Sequence, residues 1–237
     1  MAAVFLAVLA GSALPDAPHR NSEFVFARVQ FTEREFRTHW WEEPWHHDYP
    51  ASDEFLLTML KELTVVHVQT DAYKIVPLSS PEIFQYPFLY VSEPGFMDLT
   101  DQEVANLGKY LRRGGFIMAD DFRTASYLGD GIEELAVLRY YLKRAVPEWD
   151  LVPLTVTHPI FSSFFKIDTL NMPPPYGSFV PQFWGLSDNH GTLRVIANYN
   201  NDLGEFWEWV DKGEMPFHFA SESTKLAVNY VIYAMTH

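Results

Sequence analysis

The sequence predicts an α/β fold of three layers, in which a mainly parallel sheet is covered by helices on both faces. Short runs of β-forming apolar residues alternate with segments whose apolar residues recur at helical spacing. Such alternation is typical of parallel strands joined by crossover helices. The apolar runs contain few polar residues, which indicates strands buried on both faces. No linker is visible, so residues 23–237 are predicted to form a single domain.

The predicted strands share a high content of Val, Ile, Phe and Tyr. They comprise residues 24–31, 65–68, 73–76, 88–91, 116–119 and 193–199. Residues 173–187 are rich in Pro and aromatic side chains, and we expect them to form a long excursion over the surface.

The helices are predicted from their caps and their apolar stripes. Ser52 is a candidate N-cap for the first helix. Thr100 and Glu103 have the spacing of a capping box, and Gly114 is placed to end that helix in the left-handed conformation. Two further helices are predicted, over residues 132–144 and 225–235.

Composition excludes several classes of function. The formal net charge of −14 repels phosphate backbones and anionic lipid, so neither nucleic acid nor a membrane surface is an expected partner. The chain has no Cys, which excludes disulfides, thiolate metal ligands and a thiol nucleophile.

Residues 1–22 have the features of a targeting segment. Residues 2–10 are apolar, and the small residues Gly11, Ser12 and Ala13 follow as a possible cleavage site. The apolar run is shorter than the roughly 20 residues that span a bilayer. No Lys or Arg precedes it, so it is either part of a longer signal or a weak anchor that stays attached. We therefore expect an exported, periplasmic protein without a transmembrane span in the mature domain.

Polar and aromatic residues follow several predicted strands. In open α/β sheets, ligands bind at the carboxyl ends of the strands, so we expect these side chains to surround one cleft. The candidate binding residues are Trp41, Trp45, His46 and His47 after the first strand, Glu93 and Gly95 after residues 88–91, Asp120 and Asp121 after residues 116–119, and Asn200, Asp202 and Trp207 after the last strand.

A divalent metal ion is chemically possible in this cleft, because carboxylate oxygens and imidazoles are suitable ligands. No closely spaced motif such as His-Glu-x-x-His supports such a site, so no cofactor is predicted. The candidate ligands are Asp120, Asp202, His46 and His47, with Glu93 beside them.

Asp120 and Asp121 are adjacent, so in an extended chain their side chains point to opposite sides. We expect one of them to face the cleft and the other to cap a helix or pair with Arg123. The loop at residues 32–50 is dense in Trp and His, and three interpretations stay open for it. It is a packed lid, an aromatic platform for a sugar or another flat ligand, or a protein-contact surface.

Several segments also carry a pattern in common with a known family. They are residues 48–50 with Asp53, 78–90 with 93–95, 111–116 with 120–122, 158–161, 200–208 and 231–237. Together they resemble the bacterial family called domain of unknown function 4159, over nearly all of the chain after residue 23. The resemblance implies a flavodoxin-like fold similar to class I glutamine amidotransferases and trehalose-utilisation-type proteins. It implies no settled activity.

The resemblance to amidotransferases stops at their catalytic residues. In those enzymes a Cys follows a central strand, and a His and a Glu follow a later one. Here Asp120 and Asp121 take the first place, and Asn198 and Asn200 take the second. No Gly-x-Ser-x-Gly motif supplies another nucleophile. Glutamine hydrolysis by the usual triad is therefore excluded.

Two classes of function remain. The first is a non-catalytic module of the bacterial cell envelope that binds a small ligand or an envelope protein complex. The second is a metal-assisted hydrolase, with carbohydrate as one candidate substrate and Asp120 and Asp202 as ligand or base. The sequence favours the first, because the triad is missing and no motif of similar specificity replaces it.

Overall fold

One sheet of seven strands organises the computed structural model, which describes residues 22–34, 43–125, 131–172, 179–210, 212–213 and 216–237. The strand order across the sheet is β2-β1-β3-β4-β7-β6-β5. The strands are β1 (Phe26–Gln30), β2 (Tyr73–Pro77), β3 (Phe88–Ser92), β4 (Phe116–Phe122), β5 (Leu151–Pro153), β6 (Gln182–Ser187) and β7 (Leu193–Tyr199).

Five neighbouring strands, β2, β1, β3, β4 and β7, run parallel to one another. Their order is that of a flavodoxin-like sheet, with β7 in the place of the fifth strand. Strand β6 pairs antiparallel with β7, and β5 pairs antiparallel with β6. The predicted α/β fold with a mainly parallel sheet is confirmed.

Helices cover both faces of the sheet and make three layers. Strand residues such as Phe26, Tyr90 and Met118 are buried under α1, α4 and α5 on one face. Residues such as Ala27, Val91 and Ala119 are buried under α2 and α3 on the other face. The helices are α1 (Ala51–Leu63), α2 (Asp101–Arg112), α3 (Glu134–Ala145), α4 (Leu203–Trp209) and α5 (Phe217–Thr236).

The predicted capping box at the start of α2 is confirmed. The backbone N–H of Glu103 donates to Thr100 Oγ1 over 3.3 Å, and the backbone N–H of Thr100 donates to Glu103 Oε2 over 2.8 Å. Gly114 has the expected left-handed conformation, with a φ of 91°. The prediction for Ser52 is wrong, because α1 begins directly after Pro50 and Ser52 is buried inside its first turn.

Three predictions about strands are corrected. Residues 65–68 form no strand, and the side chain of Val65 is fully exposed. Residues 182–187 form β6 instead of a surface excursion, and residues 173–178 of that prediction lie outside the described part of the chain. Strand β4 does not end at Ala119 but continues through the two aspartates to Phe122.

The two outer strands of the sheet are β2 and β5, and each ends in a proline. Within the described ranges, no helix is both long and apolar enough to cross a membrane. The predicted targeting segment falls on residues that are not described, apart from Ser22, so export stays a prediction.

Gly108 lies where α2 packs closely against α3. A methyl group at this position would lie 2.4 Å from the carbonyl oxygen of Ala145. Gly-to-Ala changes inside exposed helices stabilise by about 1 kcal/mol. We expect the reverse for Gly108→Ala, a loss of about 1–3 kcal/mol in the free energy of unfolding, because the helices must move apart. Urea unfolding measures this change.

The matched control is Lys109→Ala, which changes the next residue of α2, an exposed one. It should leave the urea midpoint nearly unchanged. A Gly108→Ala variant that is more stable than the wild type would contradict the close contact of the two helices.

Candidate functional site

Among the described residues, four other than glycine have a positive φ, and they lie at the carboxyl end of the sheet. The angles are 63° at Asp48, 46° at Glu93, 54° at Asp121 and 58° at Asn200. Asp121 lies near the end of β4, and the other three follow β1, β3 and β7, which are also strands of the parallel part of the sheet. Such conformations cost about 1–3 kcal/mol each and concentrate at functional sites. The carboxyl edge of the sheet is therefore the candidate functional site.

Asp121 lies in an irregular part of β4. The pairing of β4 with β7 shifts register between Ala119 and Phe122, and this bulge re-aims the side chain of Asp121. Its Oδ2 lies 2.8 Å from His47 Nδ1, and its Oδ1 accepts a hydrogen bond of 3.1 Å from Arg123. Asp121 thus meets His47 in the cleft and also pairs with Arg123, two tasks that the sequence assigned to different aspartates.

The neighbouring Asp120 is a structural acceptor. It is fully buried, and its Oδ2 accepts hydrogen bonds from the backbone N–H groups of Leu203 (2.8 Å) and Gly204 (3.1 Å). Asn198 donates to its Oδ1 over 3.0 Å, and the Tyr90 hydroxyl donates to its Oδ2 over 3.3 Å. Both oxygens are occupied, so Asp120 holds the start of α4 instead of facing the cleft.

Arg28 anchors the loop that carries His47 and Asp48. It is fully buried on β1 and pairs with Asp53 over 2.5 Å. Its Nη1 also donates to the backbone carbonyl of His47 over 2.6 Å. Burial alone would lower the pKa of Arg28, but the charge and hydrogen bonds of Asp53 outweigh burial and raise it.

Several carboxylates of this edge have a buried oxygen without a hydrogen-bond donor among the described residues, and they include Asp48, Asp202 and Glu134. Asp48 is 5% exposed, and neither of its oxygens accepts a hydrogen bond. Asp202 is fully buried, and it caps α4 through Oδ1, which accepts from the backbone N–H of Glu205. Its Oδ2 is unpartnered. Buried polar atoms in this state are uncommon and require an explanation.

The carboxylates and His47 are close enough to hold a metal ion. One set consists of His47, Asp121 and Asp202, whose ligand atoms lie within 4.8 Å of one another. A second set, with the same limit, consists of His47, Asp48 and Glu205. The two sets share His47, so they lie side by side at this edge of the sheet.

Because several acidic groups are buried close together, their pKa values are raised. Burial, with Asp121 and Glu205 adding negative charge, raises the pKa of Asp48 well above its usual range. Burial and the charges of Asp121 and Asp48 do the same to the pKa of Asp202. Burial lowers the pKa of His47, but its bond to Asp121 and the charges of Asp121 and Asp48 raise the pKa to about 10. Without a metal, His47 is thus the counter-charge of the cluster.

Other predicted residues take different places. Glu93 is half-buried, and its pKa is raised well above the usual range by burial and then by Asp121. Gly95 makes room for the side chain of Glu134, because a methyl group on Gly95 would lie only 2.4 Å from Cγ of Glu134. Asn200 accepts from the backbone N–H of Thr124 over 2.7 Å. The contacts at Gly95 and Asn200 hold the loops around the cleft in place.

The aromatic residues predicted to line the cleft mostly pack in or against the hydrophobic core. Trp207 is 1% exposed and packs in the core below α4. Trp45 packs against the core on the other face of the sheet, and the ring of His46 lies edge-on to it. His46 belongs to neither candidate set of ligands. Trp41 lies outside the described residues.

A family model decides the relationship of the chain. The model for the family described as Domain of unknown function (DUF4159) matches residues 25–235. The chain belongs to the DUF4159 family. No curated protein matches it significantly. The similarity to amidotransferases that the sequence implies is a finer statement, and it stays a prediction.

Sequence reasoning missed several residues of the cleft in this DUF4159 domain. Asp48, Arg28 and Glu205 were not among its candidates, although Asp48 lies within the segment that resembles the family. The signal for Arg28 is a charged residue inside an apolar strand, and strands buried on both faces rarely carry one without a partner.

The acid cluster predicts an unusual pH dependence for the metal-free protein. Burial raises the pKa of Asp120 and of Glu134 to about 7. In the unfolded chain these groups lose their protons near pH 4. The folded state thus binds more protons between these limits, so the free energy of unfolding should fall from pH 5 to pH 7 by on the order of 1–3 kcal/mol.

Urea unfolding at pH 5, 6 and 7 in the presence of a chelator measures this slope. The variant Glu134→Gln removes one of the two groups and should show a smaller fall. Stability that rises steadily over the same interval would show that these carboxyls are ionised in the folded protein.

Proposed function

We propose that the DUF4159 domain binds one divalent metal ion in its acidic cleft and uses it to activate water for hydrolysis. Asp48 carries the proposal, because it is 5% exposed and neither of its oxygens accepts a hydrogen bond. His47 Nδ1 lies 3.6 Å from Oδ1 of Asp48, which is too far for a hydrogen bond. An ionised carboxylate in this position is costly, and a bound cation would remove the cost.

The charges around the cleft favour a cation. Among the described residues, Arg28 is matched by Asp53, and His47 and Arg123 are the basic groups that pair with the carboxylates of the candidate site. The carboxylates that interact electrostatically with His47 or with one another outnumber these groups, and they are Asp48, Glu93, Asp121, Asp202 and Glu205. A divalent ion would offset most of the surplus.

The donor atoms indicate the class of ion. Carboxylate oxygens with a single imidazole suit Mn²⁺, Fe²⁺, Zn²⁺ or Mg²⁺. The shared His47 supports one ion instead of a pair. Its side chain is 41% exposed, so the site is open to solvent on this side and leaves room for water or substrate.

Hydrolysis is the reaction that such an ion supports best. A bound ion lowers the pKa of its water and polarises a carbonyl or acetal oxygen. Glu93 stands outside both candidate ligand sets but interacts electrostatically with His47 and Asp121; a bound cation would lower its raised pKa and make it the candidate general base. The surplus of negative charge disfavours phosphate substrates and favours neutral ones, carbohydrate among them.

The non-catalytic envelope module that the sequence favours would use the same cleft without turnover. The two functions differ in what metal loading does. The hydrolase requires metal-dependent cleavage of neutral chromogenic esters or glycosides that is lost in Asp202→Asn. Metal binding without any cleavage across such a panel would favour the binding module.

The central variant for metal binding is Asp48→Asn, which keeps the shape of the side chain and tolerates the left-handed backbone. In the presence of a chelator it should raise the free energy of unfolding at pH 8 by on the order of 1 kcal/mol, because a buried charge is removed. Its affinity for Mn²⁺ or Zn²⁺ should fall on the order of a hundredfold. Urea unfolding and isothermal titration measure the two effects.

Glu62→Gln is the control, since it removes one negative charge from the exposed surface of α1. It should change neither quantity. The proposal fails if elemental analysis and titration find no divalent ion bound to the wild-type protein. It also fails if Asp48→Asn binds the ion as tightly as the wild type.

A further inference from the structure

Arg28 binds one half of the candidate metal site directly and is linked to the other half through Tyr90 and Asp120, although it belongs to neither set of ligands. One half is the loop with His47 and Asp48, and the other is the start of α4 with Asp202 and Glu205. We propose that Arg28 is a positioning residue that fixes the distance between these halves. The inference rests on the proposed metal site and identifies what preorganises it.

The first contact is with the loop. Arg28 Nη1 donates to the backbone carbonyl of His47 over 2.6 Å and to that of Trp45 over 3.3 Å. These carbonyls belong to the turn that leads directly into Asp48. Because the backbone on the N-terminal side of Asp48 is held, its left-handed conformation and the direction of its carboxylate are fixed as well.

The second contact is with α1, which follows the same loop. Arg28 Nη2 donates to Ser52 Oγ over 3.0 Å and to Asp53 Oδ2 over 2.5 Å, and Nε donates to Asp53 Oδ1 over 3.3 Å. With the two carbonyls of the loop, these bonds occupy all five N–H groups of the guanidinium. Both ends of the segment from Trp45 to Asp53 are thereby tied to β1.

The third contact leads to the other half of the site. The guanidinium carbon of Arg28 lies 4.7 Å from the centre of the Tyr90 ring. The hydroxyl of Tyr90 donates to Asp120, whose Oδ2 accepts from the first backbone N–H groups of α4. A methyl group on Gly204 would lie 2.5 Å from Asp48 Oδ2, so the two halves meet directly beside this chain of contacts.

Lysine could not replace Arg28 in this role. Its three donors radiate from one nitrogen and cannot bind a carboxylate side-on while reaching carbonyls on the other side. Arg28→Lys therefore keeps the charge opposite Asp53 but releases part of the loop. The ligands should then hold the ion less tightly and in a different geometry.

The test uses the full-length protein loaded with Co²⁺, whose visible spectrum reports coordination geometry, and titration with Mn²⁺. In Arg28→Lys we expect at least tenfold weaker Mn²⁺ binding and an altered Co²⁺ spectrum. The control is Leu138→Ala, which removes a buried side chain from α3 on the opposite face of the sheet. It should lower stability but change neither the affinity nor the spectrum.

If Arg28→Lys does not fold, Tyr90→Phe takes its place. It keeps the ring beside the guanidinium but removes the hydroxyl that binds Asp120, and we expect three- to tenfold weaker Mn²⁺ binding. Affinity and spectrum unchanged in whichever of the two variants folds, with wild-type protein that binds the ion, would overturn the positioning role alone. Wild-type protein that binds neither ion would overturn the proposed function itself.

Discussion

The buried carboxylate of Asp120 is the interaction on which the arrangement of the cleft depends. It receives hydrogen bonds from β3 through Tyr90, from β7 through Asn198 and from the first turn of α4. Parallel strands leave their C-terminal backbone groups free at one edge, and a carboxyl group placed there can bind several elements at once. Together with the cap that Asp202 provides, Asp120 fixes the start of α4, which carries Asp202 and Glu205 toward His47.

A carboxyl group such as Asp120, whose oxygens all accept hydrogen bonds within the protein, is not available to bind a ligand. The two adjacent aspartates divide these tasks, since the bulge in β4 turns Asp121 toward His47 while Asp120 points to α4. The division has a physical origin. An acceptor whose lone pairs are filled has nothing left to offer an ion, whereas the carboxylate of Asp48 has both oxygens unfilled.

The sequence was sufficient to predict the sheet edge but not the residues that share it. The five parallel strands and the capping box at Thr100 depend on local patterns, so they were predicted correctly, whereas the antiparallel strands β5 and β6 were not predicted. Trp207 was misplaced because α4 begins at Leu203, and a helix that buries Leu203 also buries the residue one turn later. Glu205 lies between them on another side of the helix. Asp48 could not be predicted as a site residue, because its loop is held by Arg28, 20 positions earlier in the chain. No local sequence pattern indicates a contact between residues so far apart.

The proline that ends each outer strand has a consequence for how copies of this molecule meet. Strands β2 and β5 carry the unpaired backbone groups of the sheet, and they end in Pro77 and Pro153. Proline has no N–H to offer a strand from another chain. Both borders are also short, at 5 and 3 residues, so they are poor templates for β-augmentation or for growth into fibrils. Association between copies is thereby directed to side-chain surfaces, which are more selective than a bare strand.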